Sequence, residues 1–254
     1  LIDRRHKQLV VRVLQDIAQT AADGREIFLA DRQIVDEDLP VAGEQAQQEL
    51  LDQRKISAEC YALVESIDQV AGQLARLKDA DVPVLWRPLH EAGGGWYWWG
   101  SDGADAYQWL WRLLYDRLTA YHGLNNLLWV WNGQSRDYYV GQAYYDIASI
   151  DVYLRADAEY GSRYGQFQWL YALTEGEKLL ALSECSRIPD VDAIFRDNAV
   201  WSFFGLWYGD YLVGQDGTLN GKYISTDDLI KYYNSDGTLS LSEYIKMSQK
   251  SLAN

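Results

Sequence analysis

The chain is poor in the residues that staple, chelate or shuttle. Only two cysteines and three histidines occur among its 254 residues. A disulfide-built scaffold is excluded, and Cys60 and Cys185 leave open a single bridge at most. The histidines, His6, His90 and His122, fall at no zinc-ligand spacing, so no metal is expected. No apolar run approaches the ~20 residues of a membrane span, and no membrane partner is expected. The chain opens Leu-Ile-Asp-Arg-Arg, without the charged-then-apolar pattern of a signal peptide. Basic residues are outnumbered: 23 Lys and Arg face 37 Asp and Glu, a formal net charge of −14. Nucleic acid is therefore excluded as a partner, because phosphate binding needs clustered cations. A Gly-rich dinucleotide fingerprint is missing too, so no nucleotide cofactor is expected.

What the chain has instead is apolar and aromatic mass. Hydrophobic residues make up 48%, enough for a sizeable core, and 11 Trp and 19 Tyr are present. Such side chains pair a flat apolar face with a polar handle. Sugar rings, which show C–H faces beside hydroxyls, suit that surface. Many of these aromatics must also serve simply as core.

From Val82 onward, short apolar runs alternate with amphipathic stretches. Strands are predicted at 82–88, 127–131, 146–153, 178–183 and 200–207. Helices are predicted at 61–77, 104–121, 163–173 and 192–197. Such alternation implies parallel βα units. With no dinucleotide motif, the expected architecture is a (β/α)8 barrel rather than an open sheet, in one domain spanning 1–254. Residues 1–60 match the pattern poorly. Leu9-Val-Val-Arg-Val13 and Glu26-Ile-Phe-Leu-Ala30 are candidate strands only, so the N-terminal part of the barrel is expected to be shortened or missing.

The densest chemical signal is Trp86-Arg-Pro-Leu-His-Glu-Ala-Gly-Gly-Gly-Trp-Tyr-Trp-Trp-Gly100, at the C-terminal end of a predicted strand. That end of a parallel barrel forms the active-site face. A lone Glu91 would be a solvated loop carboxylate. Four consecutive aromatic residues at 96–99 make a poor surface unless they bind something or wall a pocket. The second signal, Ala181-Leu-Ser-Glu-Cys-Ser-Arg-Ile-Pro-Asp190, puts Glu184 at another strand end. Its competing assignment is a buried ion pair with an arginine such as Arg87. Two carboxyls facing each other at about 5–5.5 Å would suit a retaining glycosidase. Between them, Tyr153 is a candidate to orient Glu184, and Asp151 to bind a sugar hydroxyl or brace the site. Trp131 and Asn132 end a further strand and are candidate substrate contacts. Trp207 follows the last apolar run and is a candidate sugar platform. A Cys185–His90 dyad lacks a third orienting group. Asn234-Ser-Asp-Gly-Thr-Leu-Ser-Leu-Ser-Glu243 fits a calcium loop except that its first position is Tyr232, so a turn into a last helix is expected.

Taken together, Val84-Leu-Trp-Arg-Pro-Leu-His-Glu91 with Gly-Gly-Trp-Tyr-Trp-Trp-Gly100 resembles the acid/base motif of glycoside hydrolase family twenty-six. Leu127-Leu-Trp-Val-Trp-Asn132, Asp151-Val-Tyr153, Leu182-Ser-Glu184 with Ile188-Pro189, and Trp207-Tyr-Gly-Asp210 resemble its later strand ends, in order. The resemblance covers roughly residues 60–245. It implies a (β/α)8 barrel and a cofactor-free endo-β-1,4-mannanase working by double displacement, with β-mannan as partner. Glu91 then matches the acid/base, Glu184 the nucleophile, and Tyr153 the tyrosine bonded to it. His90, Trp96 and Trp207 match residues lining the central sugar subsites. The resemblance further implies a secreted or cell-surface location, and a monomer is expected. Two features depart from the family: a Trp-His pair on an earlier strand is not found, and Cys185-Ser186 follow Glu184 where another pair is usual. Hydrolysis of mixed-linkage glucan or xylan, and an inactive carbohydrate-binding barrel, remain alternatives.

Overall fold

The computed structural model describes residues 39–159 and 161–251. The candidate strands at 9–13 and 26–30, and His6, lie outside them. The elements group into two compact units, one ending at Asp146 and one beginning at Ile147.

In the first unit, helix α1 (Glu44–Asp52) precedes the long helix α2 (Ala58–Lys78). Ser57 caps α2 by accepting the Cys60 N–H at 3.2 Å, and Leu63, Val64, Ile67, Ala71, Leu74 and Leu77 recur at helical spacing on its buried stripe. The helix stops on Asp81, a non-glycine at φ +53°. Its N–H bonds Lys78 O and the Val82 N–H bonds Leu77 O, each at 2.9 Å. This is a Schellman ending, sealed by contact between Leu77 and Val82. The chain therefore leaves α2 directly into strand β1 (Val84–Trp86). After the Gly-rich loop comes helix α3 (Ala104–Asp116), which widens into a π turn over Arg117–Tyr121. Strand β2 (Leu127–Trp131) then pairs in parallel with β1, placing Val84 opposite Leu127 and Trp86 opposite Trp129.

A buried cation holds this helical layer together. Arg117 has no exposed surface; it forks onto Asp68 of α2 with two bonds of 2.7 Å and donates to the Pro40 and Ala42 carbonyls. Its guanidinium lies 3.7 Å from the Tyr121 ring centroid. His122 adds a 2.7 Å bond to the same carboxylate.

The second unit is a parallel sheet of β3 (Ile147–Val152), β4 (Leu179–Cys185) and β5 (Phe204–Leu206), neighbours in chain order. Helices α4 (Tyr164–Leu173) and α5 (Val191–Arg196) supply the two crossovers. Helices α6 (Thr226–Tyr233) and α7 (Leu241–Ser251) follow. Predicted and observed elements agree in order, with two strands corrected in length: β1 covers three residues, not the predicted seven, and β5 three, not the predicted eight. Trp201, at the start of that apolar run, is committed elsewhere, its indole N–H donating to Ser162 O at 3.0 Å. The calcium-like stretch is the turn expected before α7. The Glu243 carboxylate accepts from the Ser240 N–H at 2.8 Å, so it caps that helix.

Both cysteines are buried free thiols, which closes the question of a bridge between them. Burial pushes the Cys60 thiol up to about 11 and that of Cys185 up to about 12, the latter helped by the nearby Asp151 and Glu184 charges. Neither is a reactive thiolate near neutral pH. No helix among the described residues is long and apolar enough to cross a membrane.

Candidate active site

Glu91 stands on the loop that leaves the C-terminal end of β1. Its backbone is left-handed at φ +54°, as is that of Leu89 at +49°. Non-glycine residues avoid this region, and the conformation costs about 1–2 kcal/mol at each position. The neighbouring β2 exit holds it in place. The Glu91 N–H is shared by the backbone and side-chain oxygens of Asn132, at 2.7 and 3.0 Å. Gly93 donates to Gly133 O at 2.9 Å, and a Cβ at Gly93 would meet the Ser135 side chain at 2.7 Å. The glycine run is thus needed where two loops touch, as well as for turning.

The aromatic run that follows folds back over the carboxylate. Trp96, 63% exposed, donates its indole N–H to Glu91 Oε2 at 3.2 Å. Tyr97 and Trp99 stack at 4.4 Å, and His90 tilts against both rings. The Trp99 N–H ties the His90 carbonyl at 2.8 Å. His90, Glu91 and Trp96 therefore form one cluster, as the sequence suggested.

Trp131 and Asn132 occupy different places from those expected. Neither has exposed surface. Trp131 donates to Tyr138 O at 3.2 Å, and its ring packs on Tyr139 and Tyr145. It walls the core, and Asn132 acts on the Glu91 peptide. Both thus stand behind the loop, Trp131 packed and Asn132 bonded to it.

In the second unit, Glu184 lies near the end of β4 and is 6% exposed. Tyr153, just past the end of β3, donates its phenol to Glu184 Oε2 at 2.6 Å. A bulge aims this carboxylate. Ile150 pairs with Leu182 but Asp151 pairs with Glu184, so Ser183 is the extra residue; against β5, Leu182 pairs with Phe204 and Cys185 with Leu206. Bulges re-aim side chains beside active sites. Ser183 Oγ fills the turn, 2.7 Å from Asp151 Oδ1 and 2.8 Å from Ser149 Oγ. Gly205 admits the bulge from the other side, because a Cβ there would run into the Ser183 carbonyl. Asp151, buried and bound to Ser183, therefore braces the strand end. Trp207, 36% exposed, packs edge-on to Tyr153 at 6.3 Å, and its backbone N–H donates to Cys185 O at 2.9 Å.

Three residues around Glu184 were given no role by the sequence. Ser183 is a small polar residue inside an apolar strand whose use only the bulge reveals, and Ser186, just past the end of β4, shows its use only in its bonds to Val152 and Leu154. Tyr211, 5.4 Å from the Tyr153 ring, lies four residues past Trp207 in a stretch rich in Tyr and Gly, which was a usable signal.

Parallel βα units with carboxylates and aromatic rings at their strand exits are the parts from which barrel glycosidases are built. The model of glycosyl hydrolase family 26 matches residues 38–231, through both units, and the chain belongs to that family. It is 44% identical over 181 residues to a mannan endo-1,4-β-mannosidase of Thermothelomyces thermophilus, covering 71% of this chain and 36% of that protein. It is 33% identical over 181 residues to mannan endo-1,4-β-mannosidase B of Piromyces sp, covering 71% and 30%. The chain thus spans about a third of the length of these relatives. Among solved structures, a Podospora anserina GH26-CBM35 β-(1,4)-mannanase matches with a TM-score of 0.68 and 34% identity, over 91% of this chain and 52% of that one. A β-mannanase from a symbiotic protist of the termite Reticulitermes speratus matches at 0.68 and 29%, over 95% and 74%. The fold class is that of the (β/α)8 barrel, of which the described residues carry five strands.

Proposed function

We propose that this chain carries the catalytic machinery of a retaining endo-β-1,4-mannanase. The observation that supports it most is the Tyr153–Glu184 bond of 2.6 Å on a nearly buried strand-end carboxylate. A phenol donated to one carboxylate oxygen fixes the orientation of the group, as a nucleophile approaching an anomeric carbon requires. Glu184 is the nucleophile, Tyr153 its orienting residue and Glu91 the acid/base. In the first step Glu91 protonates the glycosidic oxygen while Glu184 attacks the anomeric carbon. In the second, Glu91 takes a proton from water, which displaces the sugar from Glu184. His90, Trp96 and Trp207 contact the mannan chain; Asp151 braces the end of β3, and Trp131 and Asn132 support the Glu91 loop from behind. A polymer too large to cross a membrane implies work outside the cell or at its surface.

Reducing-sugar release from mannan, glucomannan, galactomannan, mixed-linkage glucan and xylan tests this. Release from the mannan polymers is expected, with Glu184→Ala abolishing it while mannooligosaccharide binding stays measurable by calorimetry. Binding without hydrolysis by the unmodified chain would identify an inactive carbohydrate-binding barrel, and release confined to glucan or xylan would reassign the substrate.

A further inference from the structure

Strand β3 ends at Val152, yet Tyr153 must hold its hydroxyl on Glu184 from the residue beyond. Beyond the strand, the ladder no longer fixes the backbone. One residue of the neighbouring strand exit takes over. The Ser186 N–H donates to Val152 O at 3.2 Å. Ser186 Oγ accepts the Leu154 N–H at 2.8 Å and donates to Leu154 O at 3.2 Å. Residues on both sides of Tyr153 are therefore bonded to Ser186. Its own surface is wholly buried.

The chemistry fits a hydroxyl closely. Closing the clip needs an acceptor for an N–H and a donor for a carbonyl on the same short side chain, and serine offers both. Alanine would leave the Leu154 N–H without this acceptor in a half-buried place. Ser186 lies two residues after Glu184, so the element that carries the carboxylate also clamps the segment that carries its partner. A shift of either strand exit moves both groups together.

We propose that Ser186 is a positioning residue for the Tyr153–Glu184 pair. It acts through Tyr153 rather than on substrate, and for catalysis the inference rests on Glu184 being the nucleophile. Misplacing an orienting group by a fraction of an ångström costs turnover more than binding.

The test is a double-mutant cycle between Ser186→Ala and Tyr153→Phe on mannan. Ser186→Ala alone is expected to lower kcat by about tenfold with KM within about twofold, and Ser186→Thr, which keeps the hydroxyl, to recover most of the loss. In the Tyr153→Phe background, the same alanine substitution is expected to change kcat by less than about twofold. Equal losses in both backgrounds, or an unchanged kcat in a folded Ser186→Ala chain, would overturn the proposal. Two readouts need no hydrolysis. Leu154 amide exchange in the unmodified chain should be as slow as that of β4, and exchange at an open-loop rate would refute the clip even if the alanine variant fails to fold. The Tyr153 13Cζ resonance should move towards that of free tyrosine in Ser186→Ala. A chain that hydrolyses no mannan but shows both signals defeats the functional reading and keeps the clip.

Discussion

Glu91 illustrates what single residues carry here. Its left-handed backbone persists because Asn132 offers its N–H two oxygens, one of them from the side chain. Asn132→Ala keeps the backbone acceptor and removes the other. The expected cost is about 1–2 kcal/mol of stability, the usual penalty for disturbing a buried polar group. The loop should loosen with it, and if Glu91 is the acid/base as proposed, kcat should fall by about tenfold. Thermal unfolding and mannan kinetics on the same variant check both. A stable variant with normal kcat would show that the backbone oxygen suffices. Residue type at these positions was legible in the sequence, but side-chain direction was not. In Leu127-Leu-Trp-Val-Trp131 every position is apolar, so alternation gave no clue to which face is inside, and a one-residue shift exchanges the faces. Trp131 therefore read as a candidate substrate contact, whereas its ring packs into the core.

At the scale of elements, the sequence revealed most of the fold. Helix α2 announced itself by apolar spacing, and each parallel strand by a compact apolar run. The bulge at Ser183 and the π turn after α3 were hidden, because both are changes of register that cost no residue type its usual place. The π turn has a purpose in packing: it brings Arg117 onto Asp68 of α2 and onto the carbonyls of Pro40 and Ala42. Arg117→Met should cost about 3–5 kcal/mol, since it strands a partly buried carboxylate and two carbonyls. A loss below about 1 kcal/mol in denaturant titration would show that water replaces the fork. The same pair makes a pH prediction. Burial alone would raise the Asp68 carboxyl, but hydrogen bonds from Arg117 and His122 outweigh it and hold it below the ordinary aspartate value. A carboxyl lowered on folding stabilises the native state above its unfolded pKa, near about 3.9, and that contribution fades as pH falls through the lowered folded value. Asp68→Asn should therefore be less stable than the parent at neutral pH and show a flatter stability profile below about pH 4. Parallel profiles for the two proteins would remove Asp68 from the acid response.

The whole molecule carries a net charge of −14 while its proposed substrate carries none. A charged substrate would feel that field, being steered in if cationic and repelled if anionic, and salt would change its encounter rate. A neutral polysaccharide is recognised by stacking on aromatic rings, the role proposed for Trp96 and Trp207, and by hydrogen bonds at close range, neither of which depends on a long-range field. Raising ionic strength from about 20 to about 200 mM shortens the Debye length from about 20 Å to about 7 Å, which screens the surface but not a contact inside the site. For mannan hydrolysis, kcat/KM should change by less than about twofold across that range. A rise of several-fold with salt would mean that the enzyme had been repelling its substrate, and hence that the glycan it turns over is acidic. That outcome would overturn the choice of mannan even with the Glu91 and Glu184 roles intact, so the salt titration separates the identity of the sugar from the mechanism acting on it.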